Sequence, residues 1–106
     1  MDAQTSSELE SIKKIILNTV ETEAIYLFGS YAHGTPREDS DFDLYIVIPD
    51  DSIRPLEAAQ NINIAIFRGQ KKPVDILVAR AGDFHRRKQL PTIERTVARE
   101  GVMLYG

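Results

Sequence analysis

The sequence contains no cysteine, and this absence excludes several kinds of site. A chain without thiols has no disulfide framework, no thiolate metal site and no cysteine nucleophile. Proteins of reducing compartments do not depend on disulfides, so the composition agrees with our prediction of a cytoplasmic location.

Long apolar runs and a basic excess are absent as well. No stretch approaches the roughly 20 apolar residues that cross a bilayer. Asp2 lies near the start with no apolar segment behind it, which speaks against a signal peptide. The 13 basic residues are outnumbered by 16 acidic ones. Surfaces that bind nucleic acid broadly are basic, so we expect neither a membrane nor a nucleic acid as partner.

The composition that remains is that of a globular protein. Of the 106 residues, 42% are hydrophobic and 27% are charged. A chain of this length supports one modest core and leaves little room for a second module. The sequence therefore predicts a single domain over residues 1–106.

Predicted helices and strands alternate along the chain. Ser7 and Glu10 have the spacing of a capping box, and the apolar residues behind them recur at helical intervals, which predicts a first helix over residues 7–20. Runs of branched and aromatic residues predict strands at 24–28, 42–48 and 74–79, and a closing strand or an extended tail at 102–105. A short helix from about residue 82 and a last helix over 92–100 complete an α/β domain.

The middle of the chain fits two structures. The apolar residues at helical spacing are Ile53, Leu56, Ala59, Ile62 and Ile66, whereas residues 62–66 also alternate as in a strand. The helical pattern covers the longer window, and Gly69 follows it at the position of a C-cap. We therefore favour a helix.

The stretch GSYAHGTPREDSDFDLYIVI, from Gly29 to Ile48, places acids at alternate positions as the chain enters a strand. Alternate strand residues point to the same side, so Asp41 and Asp43 face one region. Two carboxylates about 4 Å apart repel by roughly 4 kcal/mol at an effective dielectric of about 20. Magnesium compensates this repulsion, since it accepts one or two carboxylates together with water and phosphate. The spacing predicts that Asp41 and Asp43 share one ion or hold two.

Asp75 is a third candidate ligand, because it lies within an otherwise apolar strand. If this strand pairs with the second one, Asp75 faces the same region as Asp43. The alternatives are an acid in solvent or an ion pair with Lys72, and the sequence leaves them open.

Gly29 and Ser30 follow the first strand at a sharp turn. Glycine permits the turn, and free N–H groups after it, with the Ser30 hydroxyl, form a cradle for a terminal phosphate. Gly-Ser is also a common structural turn, so this pair alone decides nothing.

Taken together, these features resemble the minimal nucleotidyltransferases of the DNA polymerase β superfamily. The motifs that carry the resemblance are Gly29-Ser30, Asp41-Phe42-Asp43 and Asp75. Tyr31-Ala32, Gly34, Ser40 and the ending Arg99 to Tyr105 extend it over nearly the whole chain. The resemblance implies a small palm-like α/β domain in which helices flank a mixed sheet.

The resemblance also implies an activity: transfer of a nucleoside monophosphate, in our prediction AMP from ATP, to a hydroxyl group with release of pyrophosphate. Asp41, Asp43 and Asp75 are then the catalytic residues and the ligands of two magnesium ions. Gly29 and Ser30 hold the triphosphate of ATP.

His33 departs from the family pattern, in which many members have arginine at this position. Histidine is only partly charged near neutral pH and lacks the guanidinium fork, so we expect a weaker phosphate contact or only an exposed loop residue. Asp39 is not expected to be a ligand, because the family pattern uses only the two later acids.

The acceptor follows from the resemblance alone. Minimal family members often serve as antitoxins beside a HEPN-domain ribonuclease, some by adenylylating a tyrosine of that toxin. The resemblance thus implies a HEPN toxin as partner. Three alternatives stay open: a catalytically weak antitoxin that acts by binding its toxin, a small-molecule transferase of the aminoglycoside type, and a non-catalytic metal-binding domain.

Overall fold

The computed structural model describes residues 2–34, 36, 41–69 and 74–106. Within these ranges the helices and strands follow one another in the predicted order. In chain order they are α1 (Ala3–Thr19), β1 (Ala24–Phe28), β2 (Phe42–Ile48), α2 (Pro55–Gly69), β3 (Val74–Arg80), α3 (Ala81–Arg87), α4 (Ile93–Glu100) and β4 (Val102–Tyr105).

The strands form one mixed sheet in the order β3-β2-β1-β4. β1 is antiparallel to both β2 and β4, whereas β2 and β3 are parallel. Parallel neighbours need a crossover connection, and α2 lies within the one between β2 and β3. The mixed α/β sheet flanked by helices is therefore confirmed.

Helices cover both faces of the sheet because β2 is apolar on both sides. α1 and α2 cover one face, where they pack on Leu44 and Ile46 of β2. The first core contains Ile12, Ile16, Leu44, Ile46 and Ile62 among its buried residues. The second core contains Tyr45, Val47, Ala81, Phe84 and Val97, so α3 and α4 cover it.

Successive residues of β2 point to opposite faces of the sheet, so Leu44 and Ile46 share one face. Tyr45 and Val47 alternate with them and point to the opposite face, which α3 and α4 cover. Asp43 alternates in the same way, so it lies on the face of Tyr45 and Val47.

The first helix begins earlier than the sequence predicted. α1 begins at Ala3, and its N-cap is Asp2, whose Oδ1 accepts a hydrogen bond from the N–H of Thr5 at 2.7 Å. Ser7 therefore lies inside the helix, and the predicted capping box is wrong. Aspartate caps as well as serine, and its negative charge also favours a helix N-terminus, so the earlier start is the more stable one.

The ambiguous middle segment is a helix, as favoured, but its buried face differs from the predicted one. Ala58, Ile62 and Ile66 are buried in α2, whereas Leu56 is exposed and Ile53 precedes the helix. The closing segment is a strand rather than a tail, since β4 pairs with β1 at the edge of the sheet.

The apolar residues in and just before the last helix differ in burial. Val97 is buried, but Leu90 and Ile93 stay largely exposed, so packing within the chain accounts for Val97 alone. In the part of the chain that the structure describes, no helix has the length and apolar character needed to span a bilayer.

Candidate active site

Two acids from neighbouring strands meet on one face of the sheet. Asp43 of β2 is the Cα partner of Asp75 in the parallel pairing with β3, and residues paired in this way point to the same face. Asp43 is partly buried and Asp75 is exposed. The pairing of β2 with β3, on which the role of Asp75 depended, is therefore present.

Asp41 lies just before β2 and is partly buried. The pKa of Asp43 is raised above its ordinary value, first by burial and then by the negative charges of Asp75 and Asp41. Both neighbouring carboxylates thus act electrostatically on Asp43. The structure brings the three predicted acids into one electrostatic cluster.

This cluster suits a hard divalent cation in its chemistry. Within the described ranges, no group of three or more histidine, cysteine, aspartate or glutamate side chains is arranged to hold a metal ion. Magnesium, however, needs only one or two protein carboxylates when water and substrate phosphates supply its other ligands. The paired Asp43 and Asp75 meet this lower requirement. A bound cation would offset the repulsion between their negative charges.

Gly29 lies against the carboxylate of Asp43. Its φ of +76° falls in the left-handed region that favours glycine. A Cβ at this position would overlap Oδ2 of Asp43 and lie 3.2 Å from its Cγ. The close approach of backbone to carboxylate therefore requires glycine for two separate reasons.

A tight turn follows Gly29. The Gly29 carbonyl accepts hydrogen bonds from the N–H groups of Ala32 at 3.1 Å and His33 at 3.2 Å. Ser30 is partly buried in this turn, and His33 is exposed. A helical turn thus follows Gly29, whereas phosphate contacts by Ser30 and His33 stay predictions.

Some of the sequence predictions concern residues that the structure does not describe. Asp39, Ser40 and Lys72 lie outside the described residues. Two interpretations therefore stay predictions: the ion pair of Asp75 with Lys72, and the exclusion of Asp39 as a ligand.

The sequence analysis did not predict a buried polar network that lies on the same face of the sheet as Asp43. Glu94 of α4 is only 7% exposed, and its Oε2 accepts a hydrogen bond from the Tyr45 hydroxyl at 2.8 Å. Its Oε1 accepts from Nε of Arg87 at 3.0 Å. The sequence did contain a signal for the burial of Glu94. Glu94 precedes the core residue Val97 by three positions, so the two residues share one face of the helix.

The pKa values in this network agree with a negative Glu94. Burial alone would raise the pKa of Glu94, but the hydrogen bonds from Tyr45 and Arg87 outweigh it and hold the pKa below its ordinary value. Burial and the hydrogen bond to Glu94 raise the pKa of Tyr45, so its hydroxyl keeps the proton that it donates.

A pocket of about 470 Å³ opens between β3 and the helices α3 and α4. Tyr45 and Leu77 line it from the sheet, and Ile93 and Glu94 line it from the first turn of α4. Tyr45 and Leu77 are register partners, two residues beyond Asp43 and Asp75 on their strands. The pocket therefore lies on the carboxylate face, one row beyond the acids.

The model of the polymerase beta nucleotidyltransferase family matches residues 10–106. The chain belongs to the polymerase beta nucleotidyltransferase family. The predicted family and the predicted class of transferase are confirmed at this level.

A curated relative in this family is the protein adenylyltransferase MntA of Shewanella oneidensis. The two sequences are 37% identical over 65 residues, which are 59% of this chain and 47% of the relative. The match thus spans about half the length of that relative.

Several solved structures share the fold of this chain. A protein from Sulfolobus solfataricus assigned to the nucleotidyltransferases has a TM-score of 0.63 at 19% identity, over 92% of this chain and 76% of its own. A toxin–antitoxin complex solved with AMP-PNP has a TM-score of 0.59 at 24% identity, over 92% and 72%. A mutant of the MntA-HpeT toxin–antitoxin has a TM-score of 0.56 at 20% identity, over 92% and 71%.

Proposed function

We propose that this chain transfers AMP from ATP to a hydroxyl group of a partner protein, with Asp41, Asp43 and Asp75 as its catalytic residues. The observation that carries the proposal is the in-register pair of Asp43 and Asp75, with Gly29 against the Asp43 carboxylate. Carboxylates on one side and a glycine turn on the other are the parts that phosphoryl transfer needs.

In this proposal ATP, the nucleotide donor, binds at the end of β1. The backbone at Gly29 and the hydroxyl of Ser30 bind the triphosphate, and His33 adds a donor to its outer end. This assignment is supported by the left-handed conformation of Gly29, which lets the backbone approach the acids without a side chain between them.

The three acids hold magnesium in this proposal, with two ions as the expected number. Magnesium, when bound, neutralises charge on the phosphates and lowers the barrier to attack. The residues of the chain place it: Asp43 from the middle of the cluster, Asp75 from β3, and Asp41 from the entry to β2.

Asp75 accepts the proton of the acceptor hydroxyl in this proposal. The acceptor oxygen forms a bond to the α-phosphorus of ATP while the bond from that phosphorus to the bridging oxygen breaks. Pyrophosphate leaves with the electron pair, and the hydroxyl proton passes to the carboxylate of Asp75. The exposure of Asp75 supports this role, because an acceptor can reach it from solvent.

The acceptor that we propose is a tyrosine of a HEPN-domain toxin, which makes the chain an antitoxin of the cytoplasm. The relative named a protein adenylyltransferase and the toxin–antitoxin complexes of the same fold support this choice. The proposal treats residues 1–106 as one minimal nucleotidyltransferase domain.

His33 favours a second candidate function. An exposed histidine, in place of the arginine of many family members, leaves a weaker contact for the triphosphate. A chain with such a contact could neutralise its toxin by binding alone, without transfer.

The test uses ATP labelled at the α-phosphate, magnesium and the purified HEPN toxin. Transfer of the label to toxin, together with no transfer from ATP labelled at the γ-phosphate, supports nucleotidyl transfer. Asp43→Asn and Asp75→Asn should each lower the rate by about 100-fold or more. Asp51→Asn is the matched control, because Asp51 is an exposed acid beyond the opposite end of β2.

Toxin that is bound and inhibited but never labelled would contradict the enzymatic proposal and support the binding antitoxin. Full transfer by Asp43→Asn would contradict the assignment of the acids, even if the wild-type protein is active.

A further inference from the structure

The sheet order separates two sides of the acid cluster. Gly29 follows β1, on one side of Asp43, while Asp75 lies on β3, on the other side. If the triphosphate is held at Gly29, the acceptor approaches from the side of β3. The pocket between β3, α3 and α4 lies on that side.

We propose that this pocket binds an apolar side chain of the acceptor polypeptide, close in sequence to the hydroxyl that is modified. The inference rests on the proposed function and adds an acceptor subsite to it. Leu77 and Ile93 are the residues that contact the acceptor.

Exposed apolar surface in the pocket supports this occupant. Leu77 is 43% exposed and Ile93 is 44% exposed, and Pro55 adds a third apolar wall. Covering such surface is favourable in proportion to the area removed from water. Leu77 follows Asp75 by two residues on the same strand face, so a segment in the pocket is adjacent to the acid that serves the acceptor.

The charges of the pocket point away from a phosphate ligand. Arg86 forms an ion pair with Asp83 at 2.8 Å, and Arg87 forms one with Glu94 at 3.0 Å. Each arginine that lines the pocket is thus matched by a carboxylate that also lines it. A triphosphate would have to displace these carboxylates, whereas an uncharged side chain leaves both pairs intact.

The wall of the pocket is held in place before any ligand binds. The Tyr45 hydroxyl and the buried Glu94 are joined by a hydrogen bond of 2.8 Å, which ties the first turn of α4 to β2. Preorganised walls lower the cost of binding, because less side-chain freedom is lost.

The experiment measures transfer of labelled AMP while the concentration of purified HEPN toxin is varied. Leu77→Gln and Ile93→Gln should each raise KM for the toxin by roughly tenfold, the usual effect of spoiling an apolar subsite. KM for ATP should be unchanged in both. Leu90→Gln is the matched control, since Leu90 is 51% exposed near α4 but does not line the pocket.

Each other outcome overturns the inference in a recognisable way. If wild-type protein transfers AMP but both pocket variants match Leu90→Gln, the pocket does not bind the acceptor. A raised KM for ATP in the variants would assign the pocket to the donor instead. If the wild-type protein transfers nothing, the proposed function fails first and the acceptor subsite fails with it. Thermal unfolding of each variant checks that these exposed substitutions leave the fold intact.

Discussion

Gly29 lies so close to Asp43 that a single added methyl group would overlap the carboxylate of the latter. This contact joins the end of β1, where the donor is proposed to bind, to the acid at the centre of the cluster. It also allows a test that separates backbone strain from steric overlap.

Gly29→Ala should lower both stability and AMP transfer. The left-handed backbone alone costs alanine about 1 kcal/mol, and the overlap adds to this by displacing the Asp43 carboxylate. Gly34→Ala is the control, because Gly34 has a similar φ of +73° but open space around its Cβ. Thermal unfolding and transfer rates of the two variants should differ, and equal losses would show that the contact with Asp43 has no effect.

Asp43→Asn should stabilise the metal-free protein at neutral pH, although it lowers the rate of transfer by about 100-fold or more. The pKa of Asp43 is raised in the folded state, so the folded state binds the proton more tightly than the unfolded state. Stability therefore falls as pH rises from the ordinary value of 3.8 through the raised pKa. Removing the charge should raise the free energy of unfolding by about 1 kcal/mol at pH 7. Substitutions at functional sites often stabilise a protein in this way while they reduce its activity.

The measurement is thermal unfolding of wild-type protein and Asp43→Asn across pH. The difference should shrink as pH falls and vanish well below pH 3.8, where the carboxyl is protonated in both states. Magnesium should stabilise the wild-type protein more than the variant, because a ligand raises stability only where it binds. A variant that is less stable at pH 7 would contradict the repulsion among the acids.

Tyr45→Phe should destabilise the protein by about 1–2 kcal/mol. The cluster of Asp41, Asp43 and Asp75 should stay as it is. It removes the hydroxyl that donates to Glu94 and leaves a buried carboxylate oxygen without that donor. Denaturant unfolding measures the loss. Tyr26→Phe is a control on the neighbouring strand, since Tyr26 is only partly buried. Equal stability of Tyr45→Phe and the wild-type protein would contradict the importance of the network.

Glu94→Gln should lower stability in a pH-dependent way. The pKa of Glu94 is held below its ordinary value of 4.5 in the folded state. Its stabilisation is therefore present above pH 4.5 and is lost as pH falls through the folded pKa. Unfolding curves of the variant and the wild-type protein should be separated at pH 7 and converge in acid. A constant separation at all pH values would contradict the charge of Glu94 as the cause.

Asp2→Ala should destabilise the protein by about 1 kcal/mol, because Asp2 caps the N–H of Thr5. Ser7→Ala is the matched variant: Ser7 is exposed within α1, where alanine is the better helix former, so no loss is expected. Thermal unfolding distinguishes them. A larger loss at Ser7 would restore the capping box that the sequence suggested.

The sequence predicted most elements within a few residues, because apolar spacing and turn residues act locally. β1 and β2 coincide with their predicted ranges, and α2 follows the longer of two competing patterns. The start of α1 was missed, since two acceptable N-caps lie close together and only the fold selects between them.

The candidate site was partly predictable for the same reason. The acids of the motif and the glycine turn are neighbours in sequence, and Asp75 was a candidate because it lies within an otherwise apolar strand. The burial of Glu94 was not predicted, because a lone acid on an amphipathic helix is usually exposed.

The sequence alone thus determined the family, the order of helices and strands, and the candidate acids, since these depend on local patterns and motifs. Only the tertiary structure decided that β2 and β3 pair so that Asp43 meets Asp75, that Gly29 touches that carboxylate, and that Tyr45 and Glu94 join. These relationships depend on strand register and helix packing between distant segments, and no local pattern specifies them.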